Sequence, residues 1–178
     1  MIPYAAFLRA VNVGGRTVKM DELKTIFAMP GFEHISTYIQ SGNVLFQQRE
    51  QDTAKLTEKI EKQLLKALQY DVKVMLRTAN ELTAIVKANP FAGAPEHMGV
   101  NVTLLSRVPD AAQVSKLMQT PATNEQAIVL GQELYLLCPK GAYSDSVFSN
   151  KFIEKQLGVS ATTRNWNTIT KILGKMME

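Results

Sequence analysis

The spacing of apolar and polar positions changes repeatedly along this chain, and the order of those changes predicts an architecture. Tyr4 to Leu8 is a short apolar run with Arg9 at its end, which suits a central strand, and Asn12-Val13-Gly14-Gly15 turns away from it. Met20, Leu23, Ile26 and Phe27 then recur at helical spacing, with Asp21 and Glu22 in the favourable first turn and Pro30-Gly31 as a stop. Ile35, Thr37 and Ile39 alternate with Ser36 and Tyr38 at the period of a strand. Gln40-Ser41-Gly42-Asn43 supplies a turn, and Val44-Leu45-Phe46 returns as the partner strand. Asp52 caps a long helix whose apolar stripe is Leu56, Ile60, Leu64, Ala67 and Leu68, and Val72 to Leu76 follows as a strand. The order is βαββαβ.

Thr78-Ala79-Asn80-Glu81 has capping-box spacing and predicts a helix over 79–88, ended by Asn89-Pro90. After the Pro-, Gly- and Ala-rich stretch 90–99 the order repeats. Val100, Val102 and Leu104 alternate, and Asp110 caps a helix carrying Val114, Leu117 and Met118. Strands over 127–130 and 134–138 flank Gly131-Gln132. Ser149 starts a helix carrying Phe152, Ile153 and Leu157 that closes at Gly158; a strand over 159–163 and a helix over 166–176 complete the pattern.

Right-handed crossovers place both helices of a βαββαβ unit on one face of a four-stranded antiparallel sheet. The expected fold is therefore α+β: two tandem ferredoxin-like units (alpha-beta plaits), 1–78 and 100–164, joined by a connecting helix and loop over 79–99 and followed by a C-terminal helix over 165–178. Each sheet then has a second face that needs cover from the other unit, the extra helices or a ligand.

Phe7-Leu8-Arg9-Ala10-Val11-Asn12-Val13-Gly14-Gly15, Tyr38-Ile39-Gln40-Ser41-Gly42-Asn43-Val44 and Ala161-Thr162-Thr163-Arg164-Asn165-Trp166-Asn167-Thr168 resemble, in order, signature segments of the bacterial DUF1697 family, as do Asn89-Pro90-Phe91 and Ser149-Asn150-Lys151. The resemblance implies a pair of ferredoxin-like subdomains and no established activity. Where this family's first signature usually reads Leu-Arg-Gly, Ala10 replaces the glycine.

Composition narrows the partners. The formal net charge is +4, which permits an anionic partner without requiring one. One cysteine excludes an intrachain disulfide, and no uninterrupted apolar stretch is long enough for a membrane span, so the expectation is a cytoplasmic protein with no membrane partner. His34 and His97 have no acidic or thiol neighbour at ligand spacing, so no metal and no cofactor are expected, and no nucleophile-base arrangement identifies catalytic residues.

Three polar segments are candidate ligand sites. Thr162 to Thr168, read as the opening of the last helix, joins free helical N–H groups to Arg164, Asn165 and Asn167, which suits phosphate or carboxylate; capping by Asn165 and core anchoring by Trp166 is the plainer alternative. Asn12-Val13-Gly14-Gly15-Arg16 with Lys19 suits an anion held by backbone N–H groups, or is simply a strand-helix turn. Gln40, Ser41 and Asn43 offer amides and a hydroxyl at a hairpin tip, where ordinary turn chemistry also explains them. With Arg9 and Lys151, these residues make a small anionic ligand, nucleotide- or phosphate-like, held between the two units the leading expectation. An enzyme using the same cleft, a nucleic-acid-binding module and a homo-oligomeric interaction module are the alternatives. Phe7 and Phe46 alone suit base-stacking positions on central strands, so RNA ranks below small anions. Lys55, Lys59, Lys62 and Lys66 follow helical spacing with Glu58 and Glu61 between them, as a solvated face does.

Overall fold

A computed structural model describes all of residues 1–178. Its backbone divides into two compact units, 1–83 with 172–178, and 84–171.

In the first unit, β1 (Ile2–Leu8), β2 (Glu33–Thr37), β3 (Asn43–Gln48) and β4 (Val74–Thr78) form one antiparallel sheet in the order β2-β3-β1-β4. Helices α1 (Met20–Phe27) and α2 (Thr53–Leu68) follow β1 and β3. Strand alternation sorts the side chains by face. Tyr4, Ala6, Leu8, Val44, Phe46, Val74 and Leu76 join Leu23, Phe27, Leu56, Ile60 and Leu64 in one apolar core. Asp52 caps α2 as expected, its Oδ1 accepting from the Ala54 and Lys55 N–H groups at 3.1 Å. The α2 lysines lie on solvent, with Lys62 paired to Glu58 and Lys55 to Asp52.

The second unit repeats the plan. Strands β5 (Met98–Leu105), β6 (Gln126–Leu130), β7 (Glu133–Pro139) and β8 (Ala161–Asn165) form an antiparallel sheet in the order β6-β7-β5-β8. Helices α4 (Ala111–Met118) and α5 (Asn150–Leu157) pack Leu117, Ile153 and Leu157 against Leu105, Leu134, Leu136, Cys138 and Ala161. Cys138 is buried, and burial pushes its thiol pKa up, as for a small apolar side chain.

Helix α3 (Ala79–Lys87) follows β4, and α6 (Trp166–Met177) follows β8. On the second face of the second sheet, the buried Tyr135 hydroxyl donates to the Ile85 carbonyl of α3 at 2.8 Å. Ala5, Phe7, Leu45, Met75 and Arg77 on the corresponding face of the first sheet are all buried as well. The strand order and helix placement are those of tandem ferredoxin-like units with a C-terminal helix. No helix is long and apolar enough to cross a membrane.

Three local expectations are corrected. Asp110 stands at the N-cap position of α4, but its side chain makes no cap hydrogen bond. Ile39 was assigned to a strand by alternation, but β2 ends at Thr37, and Ile39 is left-handed (φ 49°) and 47% exposed. The sequence places Thr162 and Thr163 both in the strand over 159–163 and, with Arg164, at the opening of the last helix; the strand reading holds, and β8 extends through Arg164, with Leu104 paired to Thr162 and Val102 to Arg164.

Candidate functional site

The loop after β1 and the β2–β3 hairpin meet in the first unit. The Asn12 Nδ2 group donates to the Gln40 carbonyl at 2.7 Å, and its Oδ1 accepts from the Val18 N–H at 2.6 Å. Leu8 N–H donates to the Gly42 carbonyl. Asn43 is fully buried and donates to the Tyr38 carbonyl and Ser41 Oγ, both at 2.8 Å. These amides tie loops together, which is the work of turn residues. Gly42 (φ 78°) is required there twice over, since a Cβ would lie 2.6 Å from Val11 Cγ1. Gly14 and Gly15 are left-handed and exposed, with open space around them. Ala10 has φ 55°, a left-handed conformation that favours glycine.

Arg164 is 7% exposed, and its Nη1 donates to Thr162 Oγ1 at 2.8 Å and to the Thr163 carbonyl at 2.9 Å. Burial pushes its guanidinium down to about 10. Thr163 turns to the other face, where its Oγ1 donates to Asn150 Oδ1 at 2.7 Å; Lys151, beside Asn150, is exposed on α5. The first unit has the counterpart of Arg164 in Arg77, which is 4% exposed and donates from Nη1 to the Leu76 carbonyl at 2.8 Å. In both units the last strand thus ends in a buried arginine followed by the cap of a helix.

The two caps differ. At α3, Thr78 Oγ1 accepts from the Glu81 N–H, and Glu81 Oε2 accepts from the Thr78 N–H at 2.7 Å, a reciprocal capping box. At α6, Asn165 Oδ1 accepts from the Thr168 N–H at 2.8 Å, but Thr168 occupies the place of Glu81 and the first turn contains no acid. The positive end of α6 is therefore left without a carboxylate of its own.

That end opens on a recess of about 490 Å³, formed wholly within the second unit. Asn165, Trp166, Asn167 and Thr170 line one part of it, Asn89 and Phe91 another, and Lys140 with Gly99 a third. Asn89 Oδ1 accepts from the Phe91 N–H at 3.0 Å, shaping the turn after α3. Lys140 is held at the end of β7 by its N–H bond to the His97 carbonyl. Its ammonium is exposed, and no ion pair engages it. No Asp, Glu, His or Cys lines the recess.

Of the candidate residues, Asn165, Trp166 and Asn167 line this recess; Arg164 and Lys151 do not. Arg9, Asn12, Gly14, Gly15, Gln40 and Ser41 belong to the loops of the first unit, and Asn43 begins β3. Lys140, Asn89 and Phe91 were not assigned to a site by sequence reasoning. Lys140 follows an apolar strand alone, and only the pairing of β5 with β7 brings it to residues 89–99. Three or more His, Cys, Asp or Glu side chains placed to hold a metal ion are found nowhere in the chain.

Fold and site together define a protein of two ferredoxin-like units, the second with a largely apolar recess that carries one cation, Lys140, at a helix start. The chain belongs to the family described as "Protein of unknown function (DUF1697)", which its residues 1–135 match. Its fold is similar to that of the conserved bacterial protein SP0830 from Streptococcus pneumoniae, with a TM-score of 0.81 and 22% identity over 100% of this chain and 99% of that one. No curated protein matches the sequence.

Proposed function

We propose that this protein binds a small anionic ligand, phosphate-like or nucleotide-like, in the recess where 89–91, Lys140 and 165–167 meet. The observation that carries this reading is the contrast between the two caps. Glu81 supplies the negative charge at α3, whereas α6 has no acid in its first turn and faces an exposed lysine across a recess. A bound anion would complete α6 as Glu81 completes α3.

Binding is favoured over catalysis because Lys140 is the sole side chain lining the recess that is suited to proton transfer. A small ligand is favoured over RNA because Tyr4, Phe7, Phe46 and Tyr135, the strand aromatics, are at most 2% exposed and offer no stacking platform. Calorimetric titration with inorganic phosphate and pyrophosphate at low and high salt tests the reading. Affinity should fall with salt and drop about tenfold in Lys140→Gln, about the effect of losing one charge-assisted hydrogen bond. Absence of binding at low salt, or undiminished binding by the variant, would overturn it.

A further inference from the structure

The same recess constrains the ligand more closely than its charge alone. Inorganic phosphate would leave most of about 490 Å³ empty. That volume, in a recess open to solvent, is comparable with that of clefts that take whole organic ligands. Its walls include two aromatic side chains, Phe91 and Trp166, both partly exposed. Aromatic faces of this kind stack on nucleobases with little regard to which base is present.

The polar groups around those rings are amides. Asn89 and Asn165 each use Oδ1 within the protein, which leaves their Nδ2 groups as donors. The exposed Asn167 side chain retains both donor and acceptor. Base edges present donors and acceptors of the kind that carboxamides pair with.

The charges limit the number of phosphates. One ammonium and one helix start suit a single phosphate group. Nucleoside triphosphates travel with Mg²⁺, which is usually bound through carboxylates, and no Asp or Glu lines the recess.

We infer that the recess takes a nucleoside monophosphate, its base against Phe91 and Trp166 and its phosphate between Lys140 and the start of α6. The inference rests on the proposed anion site and names the rest of the ligand. Because Trp166 is the only tryptophan, its fluorescence reports directly on occupancy, and calorimetry supplies an independent affinity.

The test titrates the intact chain with inorganic phosphate, ribose 5-phosphate, adenosine, AMP, GMP, UMP, and ATP with Mg²⁺. Nucleoside monophosphates should quench or shift Trp166 emission and bind at least tenfold more tightly than either ribose 5-phosphate or adenosine. ATP with Mg²⁺ should bind no more tightly than AMP. Phe91→Leu should weaken AMP about tenfold and leave ribose 5-phosphate unchanged, with circular dichroism confirming the fold. If ribose 5-phosphate matches AMP, the base-binding inference fails while the anion site stands. If adenosine matches AMP, or no phosphate compound binds, the anion site itself fails and the inference falls with it. Tighter binding of ATP with Mg²⁺ than of AMP overturns the single-phosphate assignment.

Discussion

The junction of β4 with α3 and the junction of β8 with α6 are built alike up to one position. Each places a buried arginine at the end of a strand, Arg77 or Arg164, and a capping side chain directly after it, Thr78 or Asn165. Three residues beyond the cap they part. Glu81 closes the first helix start with a carboxylate, whereas Thr168 is neutral and buried. The same local architecture carries its own carboxylate in one unit and none in the other. A repeated fold can therefore keep the buried arginine and the cap in both copies while the charge of the capping turn differs.

If the buried arginines are shared structural devices, Arg77→Ala and Arg164→Ala should each cost about 3 kcal/mol in urea unfolding, since each truncation strands buried carbonyl or hydroxyl acceptors and leaves a void. A stable Arg164→Ala protein that no longer binds phosphate would instead make Arg164 a ligand residue and break the parallel.

The caps should differ next in size. Thr78→Ala removes one side of a reciprocal box and should cost about 1–2 kcal/mol; Asn165→Ala loses a single cap bond and should cost about 1 kcal/mol. Equal losses in thermal unfolding would show that Glu81 adds nothing.

Ala10→Gly should stabilise by about 1 kcal/mol, because φ 55° costs any residue with a Cβ. The loop at the same place in the second unit, 106–110, contains no left-handed residue and offers no such gain.

The smallest effect sharpens the comparison most. Asn167→Asp gives the open helix start a carboxylate. It should stabilise the protein by about 0.5 kcal/mol through the helix dipole while weakening phosphate binding. Stability and binding moving in opposite directions, in melting curves and titrations of the same variant, is the signature of a vacant anion position.

Tyr135 supplies a pH test of the second sheet's packing. Burial, with Glu133 adding to it, raises its hydroxyl to about 12, so the folded state holds a proton that the unfolded state releases from about pH 10. The stability this provides is complete below pH 10 and is lost as pH rises towards 12. Tyr135→Phe should flatten the difference between urea midpoints at pH 9 and pH 11 relative to the parent.

Much of the fold was legible in the chain because its causes are local. Asp52, Ser149 and the Thr78–Glu81 pair cap helices where their spacing says they should. The period-2 and period-3.6 runs locate every strand and α-helix to within a few residues. Errors arose where one residue served two patterns. Ile39 continues an alternation, yet the turn requires it left-handed. Thr162 to Arg164 is polar like a helix start, but strand pairing with β5 and a buried sheet face claim it.

What the sequence determined by itself was the order of elements and their caps, because hydrophobic period and capping chemistry act over a few neighbouring residues. The recess was decided only by tertiary structure. Asn89 and Phe91, Lys140, and Asn165 to Asn167 lie far apart in the chain. They share a cavity because β7 and β8 both pair with β5, and sheet register has no counterpart in local spacing.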